Sequence, residues 1–365
     1  MRRGHHDIRG THNRRCNDPA KPDRATVPIR AKPKEPHMPT IETALTRLLG
    51  IEHPILLAPM GSAAGGKLAA AVTNAGGFGL IGSGYANTDA IRKELTEAGN
   101  TRVGIGFILW ALEQNPSALD VALDAKPAAV MLSFGDPTPF TGRIKDAGCK
   151  IICQVQTLAQ ARQAAAAGAD IIIAQGRDAG GHSGTTRGTM GLVPAVVDAV
   201  GPIPVVAAGG IADGRGLAAA LSLGAAGVSM GTRFTASRES LWDQAMKAVT
   251  VAAGGDETEQ TRVFDVVRGA AWPAIYPGRA LRNEFSARWN GQEQALAAGQ
   301  KDQESAYLAT DPNDFATRVV WAGEGVDLID DIPTASQIIE RIVAQAVATL
   351  MLGSQLVRED LVLRV

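Results

Sequence analysis

A lone imidazole set among glycines is the feature of the sequence best suited to chemistry. It lies in Ala174-Gln175-Gly176-Arg177-Asp178-Ala179-Gly180-Gly181-His182-Ser183-Gly184, where small residues give the backbone freedom and leave space beside the His182 ring. A histidine so placed can act as a general base or a hydrogen-bond donor near neutral pH. The plain alternative is a loop histidine facing water. Gln175 offers both a donor and an acceptor, which suits contact with a heterocycle. Two more glycine-bearing turns follow, Ala207-Ala208-Gly209-Gly210-Ile211-Ala212-Asp213 and Ser229-Met230-Gly231-Thr232-Arg233-Phe234. Bare amides at Gly209, Gly210, Gly231 and Thr232, with a helix N-terminus behind them, would grip phosphate oxygens. The Arg233 charge can add to that grip or brace the protein wall instead. Upstream, Ala58-Pro59-Met60-Gly61 is a small turn that lets backbone approach a flat ring, although such a turn is common without any ligand.

These turns need a frame. Short apolar runs recur at Ile55–Ala58, Phe78–Ile81, Val103–Ile108, Ala129–Ser133, Ile151–Val155, Ile171–Ala174, Val205–Ala208 and Gly227–Met230. Continuous apolar, β-branched runs are the pattern of parallel strands buried on both faces. Between them the stretches Leu68–Ala75, Ala90–Ala98, Leu158–Ala167 and Leu217–Leu223 each end on glycine, the signature of a helix C-terminus. Thr88, Thr157 and Asp213 are the expected N-caps. The alternation predicts an α/β fold, a closed (β/α)8 barrel over residues 38–253, rather than an open doubly wound sheet. Active sites of such barrels lie at the C-terminal ends of the strands, and all the turns above fall there.

An eighth helix is expected near Ser240–Ala252. Residues 254–335 break the pattern with Gly, Pro, Trp and charges, and read as an additional helical lobe near the active-site mouth, with pieces such as Phe285–Ala298. Residues 336–365 hold a C-terminal helix closing on the barrel. Its run Ala335–Leu352 has apolar side chains at 338, 339, 342, 343, 346, 347 and 350, a 3.6-residue period.

The chain has 365 residues and a formal net charge of −1, so no global field recruits nucleic acid or an anionic membrane. No run of about 18 apolar residues suggests a membrane span. Residues 1–37 are basic, proline-bearing and without apolar period, and read as a disordered tail. It is either a transit leader or, the preferred reading, sequence upstream of a start at Met38. His5 and His6 belong to that tail and are not expected to bind metal. Cys16, Cys149 and Cys153 form no disulfide framework, which makes a reducing cytoplasm the expected location. Cys149 and Cys153 lack the second pair a zinc site needs, so no metal is expected. Neither a P-loop nor a Ser-His-Asp order is present.

The combination of Ala58-Pro59-Met60, Gln175-Gly176, Ala179-Gly180-Gly181-His182, Ala207-Ala208-Gly209-Gly210-Ile211 and Met230-Gly231-Thr232-Arg233-Phe234 resembles the nitronate monooxygenase family, formerly the 2-nitropropane dioxygenases. The resemblance spans roughly residues 40 to 300 and includes Gly278-Arg279-Ala280-Leu281-Arg282-Asn283-Glu284-Phe285. It implies an FMN-containing TIM barrel that oxidises alkyl nitronates with O2 to a carbonyl compound and nitrite. It implies that His182 is the catalytic residue. The implied cofactor contacts are Gln175, Gly180 and Gly181, with Gly209 and Gly210 on the phosphate side and Ser229, Met230, Gly231 and Thr232 completing the phosphate loop. Ala58, Pro59, Met60, Gly61 and Gln154 are further candidate contacts. The family often carries Asn at the third-strand junction, where Gly104-Ile105-Gly106-Phe107 has none. The expected partners are a small nitronate, O2 and a second copy of the chain.

The same motifs resemble flavin-type enoyl-ACP reductases that use NAD(P)H, so that reaction remains an alternative. The others are a non-flavin barrel lyase or isomerase acting on a sugar phosphate, and a non-catalytic flavin-binding protein.

Overall fold

Strands that are apolar on both faces must be covered on both, and here they close on themselves. A computed structural model describes residues 40–356. The expected tail, with His5, His6 and Cys16, lies outside the described residues. The strands are β1 (Ile55–Leu57), β2 (Leu80–Gly82), β3 (Gly104–Ile108), β4 (Ala129–Ser133), β5 (Lys150–Val155), β6 (Ile171–Gln175), β7 (Val205–Ala208) and β8 (Gly227–Met230). They pair in the order β1-β8-β7-β6-β5-β4-β3-β2, all parallel. A parallel bridge between Leu56 and Phe78 closes the ring. The fold is the (β/α)8 barrel.

Alternate residues divide between two cores. Leu56, Leu80, Met131, Ile152, Ile173 and Val206 fill the barrel interior together with Leu45 and Leu49 of the helix Ala44–Leu49. Their neighbours Ile55, Leu57, Ile81, Val130, Ile172 and Val228 face the surrounding helices. Each such side chain contributes about 1.5–3 kcal/mol on burial.

Two expectations about helices change. Thr157 and Asp213 cap their helices as read, but Thr88–Ala98 is capped by Asn87, whose Oδ1 accepts from the Ala90 amide at 2.9 Å. The eighth place in the ring belongs to the C-terminal helix Ala335–Ser354, packed between Gly214–Ser222 and Gly66–Asn74. The physical reason is the size of its apolar face: it buries Ile338, Ile339, Ile342 and Val343, whereas Gln244–Ala252 buries only Lys247 and Thr250 and lies against the 3-10 turn Glu324–Leu328.

The lobe is not wholly helical. Strands β9 (Thr258–Thr261) and β10 (Gly278–Leu281) run antiparallel, and β10 also pairs with Gly181–His182 of the sixth loop. The expected helix Phe285–Ala298 is two, Glu284–Trp289 and Glu293–Ala298, parted at Asn290-Gly291, where Gly291 adopts φ +81°.

Ile339 lies at the centre of the C-terminal helix stripe and is fully buried. Ile339→Ala is expected to destabilise the protein by about 2–5 kcal/mol in urea unfolding. A change below about 0.5 kcal/mol, the usual effect of a surface substitution, would contradict the packing described.

Candidate active site

The strand ends and the lobe together enclose a cavity of about 410 Å3. Turn one, Ala58 to Gly61, forms part of its wall, and Pro59 packs where a side chain on Gly106 would stand, 2.3 Å from that position. The third-strand junction is therefore small because the first turn leans on it, and Phe107 follows on the wall.

At the seventh and eighth junctions the wall is backbone. Gly209 has φ +110°, a conformation that excludes a side chain with a β-carbon at little cost, and Gly210 follows with φ +68°. The amides of Gly209, Gly210 and Gly231 donate to no protein group among the described residues. Beside them the Ser229 hydroxyl is buried on the same wall without a hydrogen-bond partner. Unpaired donors crowded at one end of a cavity suit an anion such as a phosphomonoester. Thr232 is partly committed, because its Oγ1 accepts from the Gly323 amide at 3.1 Å.

Met230 departs from expectation. Its side chain lies in the core between strands and helices, while Ser229 faces the cavity, as the two-residue period of a strand requires. Arg233 had two readings. It is buried off the cavity wall, where its guanidinium donates to the Asp331 carbonyl at 2.7 Å, the Ala236 carbonyl at 3.1 Å and the Asp331 carboxylate at 3.3 Å. Of the two readings open for it, bracing is what its contacts describe.

The sixth loop carries the imidazole. Gly180 meets the lobe so closely that a β-carbon on it would stand 2.5 Å from the Gly323 nitrogen. Gln175 is buried, accepts on Oε1 from Gln156 at 2.8 Å and Gln154 at 3.1 Å, and donates to the His182 carbonyl at 3.0 Å. Its amide thus fixes the backbone of His182, and Gln154 lies on the cavity wall beside it. Gly181 and His182 pair with Arg279 and Gly278 of β10.

Around the imidazole stand residues that the sequence reading missed. The carboxylate oxygens of Asp265 lie 2.9 and 3.0 Å from His182 Nε2, and Arg268 Nη2 lies 3.2 Å from the same carboxylate. Trp272 stacks on the imidazole with centroids 3.5 Å apart and planes 5° from parallel, and Trp321 lies 5.2 Å away. Phe134, in the left-handed region at φ +63°, meets Trp272 edge-on. All five came from local pattern that carries no chemistry. The one available signal was the concentration of three of the five tryptophans, Trp272, Trp289 and Trp321, in the lobe.

Burial pushes the His182 pKa below the ordinary histidine value; the neighbouring Asp265 opposes this and Arg268 adds to it. That direction favours the neutral imidazole, in which the contact with Asp265 is an Nε2–H donating to a carboxylate. Nδ1 has no protein partner among the described residues, and His182 lines the cavity. Among the described residues no cluster of His, Cys, Asp and Glu could hold a metal ion. The arrangement can bind an anionic group at one end and accept a proton at the other.

The nitronate monooxygenase family matches residues 42–103 and 100–345 of the chain. A nitronate monooxygenase of Neurospora crassa is 32% identical, with 84% of this chain and 93% of that protein covered. A (3aS,4S,5R,7aS)-5-hydroxy-7a-methyl-1-oxo-octahydro-1H-indene-4-carboxyl-CoA dehydrogenase of Rhodococcus jostii is also 32% identical, with 85% and 97% covered. Among solved structures, FabK from Thermotoga maritima superposes with a TM-score of 0.76 at 36% identity, covering 87% of this chain and all of that one.

The contacts of Arg233 make a separable expectation. Arg233→Met should lower stability by about 1–3 kcal/mol, the cost of leaving buried acceptors unpaired. Anion binding at the glycine amides should be unchanged. A variant of wild-type stability that loses anion affinity would restore the phosphate reading.

Proposed function

The chain belongs to the nitronate monooxygenase family, and from that premise we propose that it is an FMN-dependent oxidoreductase that converts alkyl nitronates and O2 to carbonyl compounds and nitrite. In balanced form, two nitronates and one O2 give two carbonyl compounds and two nitrite ions. The observation that carries the reading is an imidazole with a free Nδ1 in one cavity with a set of unpaired backbone amides.

The residues present fit FMN. The free amides of Gly209, Gly210 and Gly231 and the orphaned Ser229 hydroxyl would hold the phosphate, and the cavity volume of about 410 Å3 falls among those of cofactor sites. Ala58 to Gly61, Gln154, Gln175, Gly180 and Gly181 would flank the ring. Bound flavin supplies the redox chemistry, relaying electrons from substrate to O2. The protein's part is to hold the substrate against an apolar wall of Trp272, Trp321 and Phe134, to exclude water, and to manage one proton. With Nε2–H committed to Asp265, the free Nδ1 takes the proton from the carbon beside a nitro group, and the imidazolium so formed faces the nitronate.

The dehydrogenase of a CoA thioester among the relatives favours a second reading, NAD(P)H-dependent reduction of an enoyl thioester in the same cavity. Nitronate-dependent O2 uptake without NADPH supports the first reading. NADPH oxidation that requires an enoyl thioester supports the second. A purified protein that releases no flavin on heating would sink both.

Three expectations follow from the site. His182→Asn should retain bound flavin and lose about 10²–10⁴ in turnover of a neutral nitroalkane, the usual worth of a general base; full activity on that substrate would refute the role. Because burial lowers the pKa of His182, activity should persist below about pH 6.5, the ordinary imidazole midpoint, and fall only on further acidification as the base is protonated. Ser229→Ala should leave the thermal midpoint of the apoprotein unchanged and weaken FMN binding about 10-fold or more, read by flavin fluorescence quenching.

A further inference from the structure

We propose that Asp265 is the positioning residue of the active site: by accepting a hydrogen bond from Nε2 it holds His182 in the tautomer that presents the Nδ1 lone pair to the substrate. The proposal rests on the reading of His182 as the base.

The geometry gives the carboxylate little else to do. Asp265 is 2% exposed, and both its oxygens lie within 3.0 Å of Nε2. A carboxylate is an acceptor only, so the nitrogen facing it must carry the proton. A neutral imidazole has one N–H, which leaves Nδ1 as acceptor. Arg268 Nη2, 3.2 Å from the same carboxylate, anchors it. The flat stack of Trp272 prevents the ring from rotating away from this contact. Were the carboxylate absent, the solitary ring proton could sit on either nitrogen, and the Nδ1–H form cannot accept a proton at Nδ1.

Charge points the same way. The groups acting on the imidazole are Asp265, which favours its protonated form, and Arg268, which opposes it. On the paired strand β10, Arg279 turns instead to the Arg177 carbonyl at 3.2 Å and to Glu324 at 2.7 Å. When Nδ1 takes a proton, the imidazolium and Asp265 become an ion pair in a buried setting, which compensates for the loss of hydration there. Burial alone would leave His182 too weak a base for its task.

The test compares Asp265→Asn, Asp265→Ala and His182→Asn in the FMN-loaded enzyme, with flavin content and thermal midpoint as controls. Turnover is measured on a primary nitroalkane, whose carbon must be deprotonated, and on its pre-formed nitronate. The expected result for Asp265→Asn is full flavin content, unchanged KM, and at least a 10-fold loss of kcat on the nitroalkane. The loss on the nitronate should be smaller, and the acid limb of the pH profile should move to lower pH. Wild-type kcat and pH profile in both Asp265 variants, beside an inactive His182→Asn, would overturn the positioning role and leave the function intact. Wild-type turnover of the nitroalkane by His182→Asn would overturn the base role and the positioning role with it. Nitrogen-15 NMR of histidine-labelled wild-type protein decides the matter even where the variants fail to fold or nitro compounds are not turned over: an Nε2–H resonance for His182 is expected, and an Nδ1–H tautomer would sink the proposal.

Discussion

The site depends on a two-residue ladder. Gly181 and His182 leave the sixth strand of the barrel and pair with Arg279 and Gly278 of a strand far along the chain. Buried backbone N–H and C=O groups must find partners, so this pairing is what allows the sixth loop to leave water. It brings the imidazole beside Asp265 of the preceding helix Val263–Val267 and beneath Trp272 of the intervening loop. The lowered basicity of His182 is a direct consequence, since its principal cause is burial by segments the barrel does not contain.

Labour is divided accordingly. The barrel contributes backbone: glycine amides and one unpartnered hydroxyl, with no basic side chain at that end, because Arg233 is spent on Asp331 and Ala236. An anion held there is held by dipoles, which need no long side chain to be ordered. The lobe contributes ionisable and aromatic side chains. The two halves meet through small residues, Gly180 against Gly323 and Gly325 against the Gly210 carbonyl, where a β-carbon on Gly180, Gly323 or Gly325 would collide.

How much of this was legible follows from the range of the interactions. The strands of the barrel were readable because each is a continuous apolar run. For the same reason their facing was not readable: a strand apolar on both sides carries no alternation, so Met230 and Ser229 could not be told apart by composition. The stripe of Ala335–Ser354 was plain, yet its place in the ring was not, because the whole lobe separates it from β8. Glycine turns announced the end lined with free amides and His182 announced the other. Asp265 announced nothing, since an acidic residue in a short helix acquires meaning only from what the fold sets against it.

Burial and the carboxylate act on His182 in opposite senses, and the proposed reaction needs both. Burial keeps the imidazole neutral at rest and the cavity dry, but by itself it would penalise the imidazolium that proton uptake creates. Asp265 offsets part of that penalty at the one nitrogen where the substrate is not. Stacking by Trp272 holds the ring plane with no charge of its own. In the proposed reaction a nitronate formed beside Nδ1 would meet its own proton as counter-charge. That matters because Arg268, the other cationic side chain on the cavity wall, is already engaged by Asp265 and by the face of Trp321. The charge that stabilises the anion is thus generated in the step that makes it, which links the reactivity of this cavity to the protonation state of a single ring.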